Sequence, residues 1–180
     1  MNEISPVSWV FGYGSLMWNP GFPFEEHVPA ELSGYHRAFC VYSHHHRGTF
    51  EVPGLVMGLD QGGHCAGVAF RVSADQWDAT MIYLDERELV GGYPYAASVV
   101  TVKTPMGDVA AHTYIPDPRH PNYAGRLTPD ESAQIIRAAS GIGGSNRDYL
   151  VHLVQKLDDL RIDDSDLRHL LDLTGGGPGK

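Results

Sequence analysis

The chain has 180 residues, 42% hydrophobic and 19% charged, proportions of an ordinary globular protein that exclude a disordered or fibrous one. With 22 acidic against 13 basic residues the formal net charge is -9, so the mean field repels polyanions. No Lys/Arg run marks a phosphate-tracking face, and the sequence predicts neither a nucleic-acid partner nor an anionic membrane surface.

The opening "MNEISPVSWVFGYGSL" has neither a basic leader nor an apolar stretch of signal-peptide length. No apolar segment reaches the ~20 residues of a membrane helix. From Trp9 to about Tyr114, short apolar or β-branched runs alternate with Gly/Pro punctuation: "WVFGYGSL", "YHRAFCVYS", "GLVMGLD", "AGVAFRV", "AASVVTVKT" and "VAAHTYI". These read as strands of one sheet or small barrel. Cys40 and Cys65 lie inside such runs rather than in metal-type pairs, which predicts buried thiols in a cytoplasmic protein, a disulfide being the alternative. One helix interrupts the strands, predicted from Ala74 to about Val90, with Ser73 as N-cap, Asp75 in the first turn and Gly91 ending it.

After the Pro-rich "IPDPRHPNYAG" the pattern turns helical. Thr128, Pro129 and Glu131 make a capping box with proline at the first helical position, opening a helix through Ala139. Ser145 and Asp148 repeat the start signal before "YLVHLVQKLDDL", and a short "DSDLRHLLDL" follows. No internal repeat or dividing linker is visible. The expectation is one α+β domain over residues 1–173, a mixed sheet or barrel with one inserted helix and a helical C-terminal third, followed by a flexible glycine-rich tail, 174–180.

On a helical wheel at ~100° per residue, Trp77, Met81 and Leu84 share one face, and Glu88 falls in the middle of the same stripe. Glu86 points to the opposite side, and Asp85 sits at the border, where a carboxylate still reaches water. Burial and the helix C-terminal dipole both raise the pKa of an acid at position 88, toward a range useful for proton exchange near neutrality. The alternative is a Glu88 that snorkels from a frayed end or pairs with Arg87 or another base.

"VFGYGSLMW" is a strand running into Gly-Tyr-Gly-Ser. The dinucleotide fingerprint would need glycine at position 17 and a helix next; Met17 and "WNPGFPF" stand there. The loop is either a nest whose N–H groups meet a carboxylate or oxyanion, or an ordinary hairpin-like turn. Three of the ten histidines are consecutive, His44, His45 and His46. In a strand His44 and His46 would share a face, so at most two chelate, and the rest lack ligand spacing; no metal site is predicted. A Ser-His-Asp hydrolase is disfavoured because "GYGSL" has Leu where a nucleophile elbow needs Gly.

Taken together, "FGYGSLMW", "SHHHRG", "YLDERELVGGY" and "GSNRDYL", in this order over about Trp9 to Leu160, resemble the ChaC family of glutathione-specific γ-glutamylcyclotransferases. The resemblance implies a small mixed β-barrel with flanking helices, no metal or organic cofactor, and cleavage of glutathione to 5-oxoproline and cysteinylglycine. It places the catalytic glutamate on Glu88, the substrate-holding loop on Tyr13, Gly14, Ser15 and Leu16, and the pocket tyrosines on Tyr93 and Tyr114. Leu89 and Val90 separate the glutamate from Gly91 and Gly92, where some relatives have one residue. Arg47, by position and charge, is the candidate partner for the glycine carboxylate of glutathione. Two rival readings remain: the same cyclisation of other γ-glutamyl amino acids or amines, and a non-catalytic domain that binds or senses such a ligand.

Overall fold

The structure, a computed structural model, describes residues 6–175. The chain folds as two compact units: residues 6–36, 61–90 and 95–115 form the first, and 37–60, 91–94 and 116–175 the second. In chain order the elements are β1 (Trp9–Gly12), a 3-10 turn (Ser15–Met17), β2 (Glu26–Ser43), β3 (Gly54–Arg71), α1 (Ala74–Glu88), β4 (Tyr95–Thr104), β5 (Gly107–Pro116), α2 (Pro129–Ala138), the two-residue strands β6 (Ser140–Gly141) and β7 (Gly144–Ser145), α3 (Asn146–Asp159) and α4 (Ser165–Leu173).

Five strands close into a barrel in the order β1, β3, β2, β4, β5. Within the first unit β1 runs antiparallel to β3, Trp9 opposite Arg71 and Gly12 opposite Val68, and parallel to β5, Val10 opposite His112. β2 and β4 pair antiparallel, Leu32 opposite Val102. The parallel β1–β5 contact beside the antiparallel β1–β3 and β2–β4 contacts makes the barrel mixed, and closure removes the unpaired edges that an open sheet would present. The α+β class expected from the sequence is the one observed.

Several boundaries differ from the sequence expectation. "GLVMGLD" and "AGVAFRV" are one strand, because Gly62 and Gly63 adopt φ of 102° and 70° within β3; glycine takes the left-handed region without ending the strand, as at a β-bulge. β2 starts at Glu26 rather than near Tyr35. Its first half hides as a strand because Pro29 and Glu31 interrupt the apolar signal, although Ala30 and Leu32 are buried between exposed neighbours. α1 stops at Glu88 with Leu89 as its C-cap, the Leu89 N–H bonding Asp85 O at 2.9 Å, so the helix ends before Gly91 is needed to stop it. Gly91 and Gly92 do take left-handed φ, 94° and 76°. Ser73 holds the N-cap position without a side-chain cap bond.

α1 packs where its stripe predicts. Leu84, fully buried, joins Val10, Phe22, Phe70, Val72 and Tyr114 in the core of the first unit, with Trp77 and Met81 against them. Each such side chain contributes about 2 kcal/mol of transfer free energy.

In the second unit α2, α3 and α4 pack on one another. Thr128 and Glu131 form the capping box, with Pro129 at the first turn. Ser145 accepts from Asp148 N at the start of α3. Asn146, with no exposed surface, pairs with Leu55 as a strand neighbour would: Nδ2 donates to Leu55 O at 2.7 Å and Oδ1 accepts from Leu55 N at 2.8 Å. Cys40 and Cys65 are buried thiols rather than halves of a disulfide, and burial with the nearby Asp60 charge pushes the Cys40 thiol up to about 12. Thr174, assigned above to the flexible tail, is buried and donates to Leu171 O at 2.7 Å; residues 176–180 of that tail lie outside the described residues.

Asn146→Ala removes both bonds and leaves a buried N–H and C=O of Leu55 without partners, a loss of about 3 kcal/mol. The expected result is a clear fall in the urea midpoint, with Asn146→Asp falling as well, because a carboxylate cannot donate to Leu55 O and its charge is buried there.

Candidate active site

In the first unit, α1 and the turn after β1 bring the predicted residues together. After Gly12, Gly14 takes φ -135° and ψ -131° and the chain enters the 3-10 turn whose first bond is Met17 N to Gly14 O, 2.9 Å. The N–H groups of Ser15 and Leu16 precede that bond, so the turn offers them no acceptor. Leu16 anchors the turn in the core. Gly12 has its own requirement: a Cβ there would lie 3.0 Å from Leu16 Cβ.

Arg87 ties this turn to the helix. Its Nη2 donates to Ser15 Oγ at 2.7 Å, and Nη1 reaches Asn19 O (2.7 Å), Pro20 O (3.2 Å) and Tyr83 Oη (3.1 Å). A planar guanidinium can serve these divergent acceptors at once; a lysine ammonium, as a point charge, cannot hold the same fork. With Arg87 engaged in this way, its ion pair with Glu88 is loose, Nε to Oε1 3.6 Å.

Glu88 is the last residue of α1, its side chain 22% exposed. Burial pushes its pKa up, and the neighbouring guanidinium opposes the shift without cancelling it. Both sequence alternatives are therefore partly realised: Glu88 pairs with Arg87, and it is also an acid of raised pKa. Glu86 faces solvent.

Tyr114 on β5 is 2% exposed. Its hydroxyl donates to Asp85 Oδ1 at 2.7 Å, and its backbone carbonyl accepts the Tyr13 hydroxyl at 2.7 Å. Burial, then the Asp85 bond, then the charges of Asp85 and Glu88 push the phenol far above its ordinary pKa, so it stays neutral. His112 sets its ring against Tyr114 edge-on, centroids 5.0 Å apart, and against Trp77 at 6.4 Å. Burial lowers the His112 pKa, Asp85 opposing, so the imidazole is neutral at physiological pH.

The second unit holds the other two predicted residues, and Ser43 joins them. Ser43 Oγ lies 3.3 Å from Tyr93 Oη and accepts the Arg47 N–H at 3.0 Å. Arg47 Nη1 donates to Ser145 O at 3.2 Å and the guanidinium sits 5.4 Å from the centre of the Tyr149 ring, while its buried Nε has no partner among the described residues. His44 to His46 do not share a strand: β2 ends at Ser43, and the carbonyls of His45 and His46 accept from Ile142 N and Gly143 N at 3.0 and 2.9 Å. His44 stacks on Phe50 and bonds Asn122 Oδ1. No group of three His, Cys, Asp or Glu side chains suited to a metal occurs among the described residues. A cavity of about 620 Å³ in this unit, lined by Tyr42, His44, Glu51, Pro53 and Gln134 among others, contains none of the predicted site residues.

Sequence reasoning did not identify Arg87 as the clamp on the turn, Asp85 as the partner of Tyr114, or His112 beside it. The three-residue spacing of Asp85 and Glu88, which puts both on neighbouring positions of one helix side, was the one available signal.

The chain belongs to a known family: the family model described as ChaC-like protein matches residues 8–175. The glutathione-specific gamma-glutamylcyclotransferase of Escherichia coli K12 is 40% identical over 164 residues, covering 91% of this chain and 71% of that protein. The glutathione-specific gamma-glutamylcyclotransferase 1 of Danio rerio is 37% identical over 82% of this chain and 77% of its own length. Among solved structures, the yeast gamma-glutamyl cyclotransferase specific to glutathione superposes with a TM-score of 0.78 at 26% identity, covering 93% of this chain and 97% of that one.

A raised folded-state pKa makes Glu88 a stability liability at higher pH. The native state holds the proton more tightly than the unfolded chain, so the associated stabilisation is complete below the unfolded carboxylate pKa of ~4.3 and is lost as pH rises through the folded value. Glu88→Gln should therefore gain Tm over wild type at pH 7 and lose that advantage near pH 4, checked by thermal unfolding at both.

Proposed function

We propose that this chain cleaves glutathione by intramolecular cyclisation, with Glu88 as base and then acid, giving 5-oxoproline and cysteinylglycine. The observation that carries the reading is a largely buried carboxylate of raised pKa on α1, in a chain whose family relatives bear the names of this activity.

The chemistry needs little else. The α-nitrogen of the γ-glutamyl group attacks its own γ-carbonyl carbon, the C–N bond of the lactam forms, and the C–N bond to cysteine breaks. The α-ammonium gives up two protons, one to become nucleophilic and one on becoming an amide; the leaving nitrogen takes up two. A single carboxylate that alternates between its two forms carries both, and a pKa lifted toward neutrality suits it to each half. Both reacting groups sit on one molecule, so holding the curled conformer captures much of the available rate advantage. The N–H groups of Ser15 and Leu16, in the turn from Tyr13 to Leu16, are the donors for the substrate α-carboxylate or the oxyanion. The Tyr13 side chain is engaged by Tyr114 O, so the loop's contribution is chiefly backbone. Tyr114 is the pocket tyrosine of the first unit. Arg47 is the partner for the glycine carboxylate, with Tyr93 beside it through Ser43. The chemistry calls for no metal or organic cofactor. Two buried cysteines held as thiols support a cytoplasmic setting.

Incubation with glutathione should release 5-oxoproline and cysteinylglycine, detected by mass spectrometry; no 5-oxoproline from glutathione, but release from other γ-glutamyl amino acids or amines, would shift the substrate. Glu88→Gln should lower kcat at least ~100-fold with the fold intact, and Glu86→Gln should be close to silent. Near wild-type turnover in folded Glu88→Gln would sink the mechanism. Arg47→Ala should raise the KM for glutathione with a smaller change in kcat, and an unchanged KM removes that role.

A further inference from the structure

Asp85 has no place in the mechanism above, yet it accepts the hydroxyl of Tyr114, the pocket tyrosine of the first unit, at 2.7 Å. We propose that Asp85 is a positioning residue for the cyclisation: by accepting the Tyr114 hydroxyl proton it leaves the phenol oxygen a pure hydrogen-bond acceptor, a seat for the α-ammonium of the γ-glutamyl group beside Glu88. This rests on the function proposed above and adds how the nucleophilic nitrogen is selected and held.

A phenol has one proton to donate and lone pairs to accept with. In Tyr114 that proton is committed to Asp85 Oδ1 at 2.7 Å. The ring cannot easily turn away, since it is 2% exposed, its carbonyl is tied to the Tyr13 hydroxyl at 2.7 Å, and His112 abuts it at 5.0 Å. Two competitors for Asp85 are out of play. His112 is kept neutral by burial, so it does not draw the carboxylate as an imidazolium would. Arg87, two residues further along α1, has its terminal nitrogens on Ser15, Asn19, Pro20 and Tyr83.

Asp85 and Glu88 are three residues apart on α1, adjacent positions on one side of a helix. Without Asp85 the Tyr114 hydroxyl would be free to donate to a neighbouring carboxylate, and Glu88 is the one whose charge it already feels. Such a bond would favour the charged form of Glu88 and make it a weaker base. With Asp85 in place, the site offers a phenol oxygen without a free proton and two carboxylates. That set repels the substrate's α-carboxylate and γ-carbonyl, which only accept hydrogen bonds, and attracts its α-ammonium, a cationic donor. The ammonium would then lie between Tyr114 Oη and Glu88, where the proton must be taken.

The test separates recognition of the amine from general damage. In a Glu88→Gln background, which binds without turnover, the affinity for glutathione is compared by calorimetry with that for glutaryl-cysteinylglycine, the same molecule with the α-amine replaced by hydrogen. Adding Asp85→Ala should weaken glutathione about tenfold and leave the deamino analogue unchanged. Asp85→Asn, which keeps an acceptor for the hydroxyl, should recover most of the loss, and Tyr114→Phe should reproduce the selective defect. In the otherwise wild-type enzyme, Asp85→Ala should raise KM for glutathione, with Asp85→Asn again restoring it. Equal weakening of both ligands, or no weakening of either, overturns the role of Asp85. Wild-type enzyme that releases no 5-oxoproline from glutathione is a different failure: it removes the substrate reading itself, and the amine seat with it.

Discussion

Leu84 has no exposed surface, and in an α-helix the residue four positions on lies over the same face one turn further. Burying Leu84 against Val10, Phe70 and Tyr114 therefore fixes where Glu88 points. The carboxylate is carried toward the apolar side by helix geometry, at the last helical residue, where the chain is already leaving the core. That placement explains an acid that is desolvated enough to have a raised pKa but still partly open to a ligand. Fully buried, it would lack access; facing out like Glu86, it would titrate as an ordinary surface group.

The rest of the first-unit site is arranged around that helix end by two sets of hydrogen bonds. Arg87 holds the turn after β1, through Ser15 Oγ and the carbonyls of Asn19 and Pro20. The chain Tyr13 to Tyr114 to Asp85 links the same turn, strand β5 and the helix. The two sets start two residues apart near the end of α1 and converge on one loop, so the N–H groups of Ser15 and Leu16 and the Glu88 carboxylate are held by the same helix. All but the Tyr13 bond involve the Arg87 guanidinium or the Asp85 carboxylate, and such charge-assisted bonds are stronger than neutral ones.

The second unit uses a different device for Arg47 and Tyr93. Ser43, fully buried at the end of β2, receives the Arg47 N–H and meets the Tyr93 hydroxyl. The guanidinium is then braced by Ser145 O and the Tyr149 face, and Asn146, next to Ser145, is clamped to Leu55. The "GSN" at the start of α3 thus serves both as helix cap and as support for the arginine.

What the sequence determined by itself was local. A 3.6-residue period singled out Glu88 from Asp85 and Glu86, the Thr128 to Glu131 spacing marked the start of α2, and alternating apolar runs marked β1, β4 and β5, because each of these signals is written within one or two turns of chain. Boundaries that depend on pairing were not legible: Gly62 and Gly63 look like punctuation until strand neighbours carry β3 through them, and β2 looks polar until one face is seen to be buried. The partners of the site residues were decided only in the tertiary structure. Arg87 meets groups 67 to 72 positions away, and Tyr114 meets Asp85 across 29 and Tyr13 across 101. A side chain's hydrogen-bonding capacity is fixed by its type, but which distant group satisfies it depends on how the barrel closes and where α1 lies upon it.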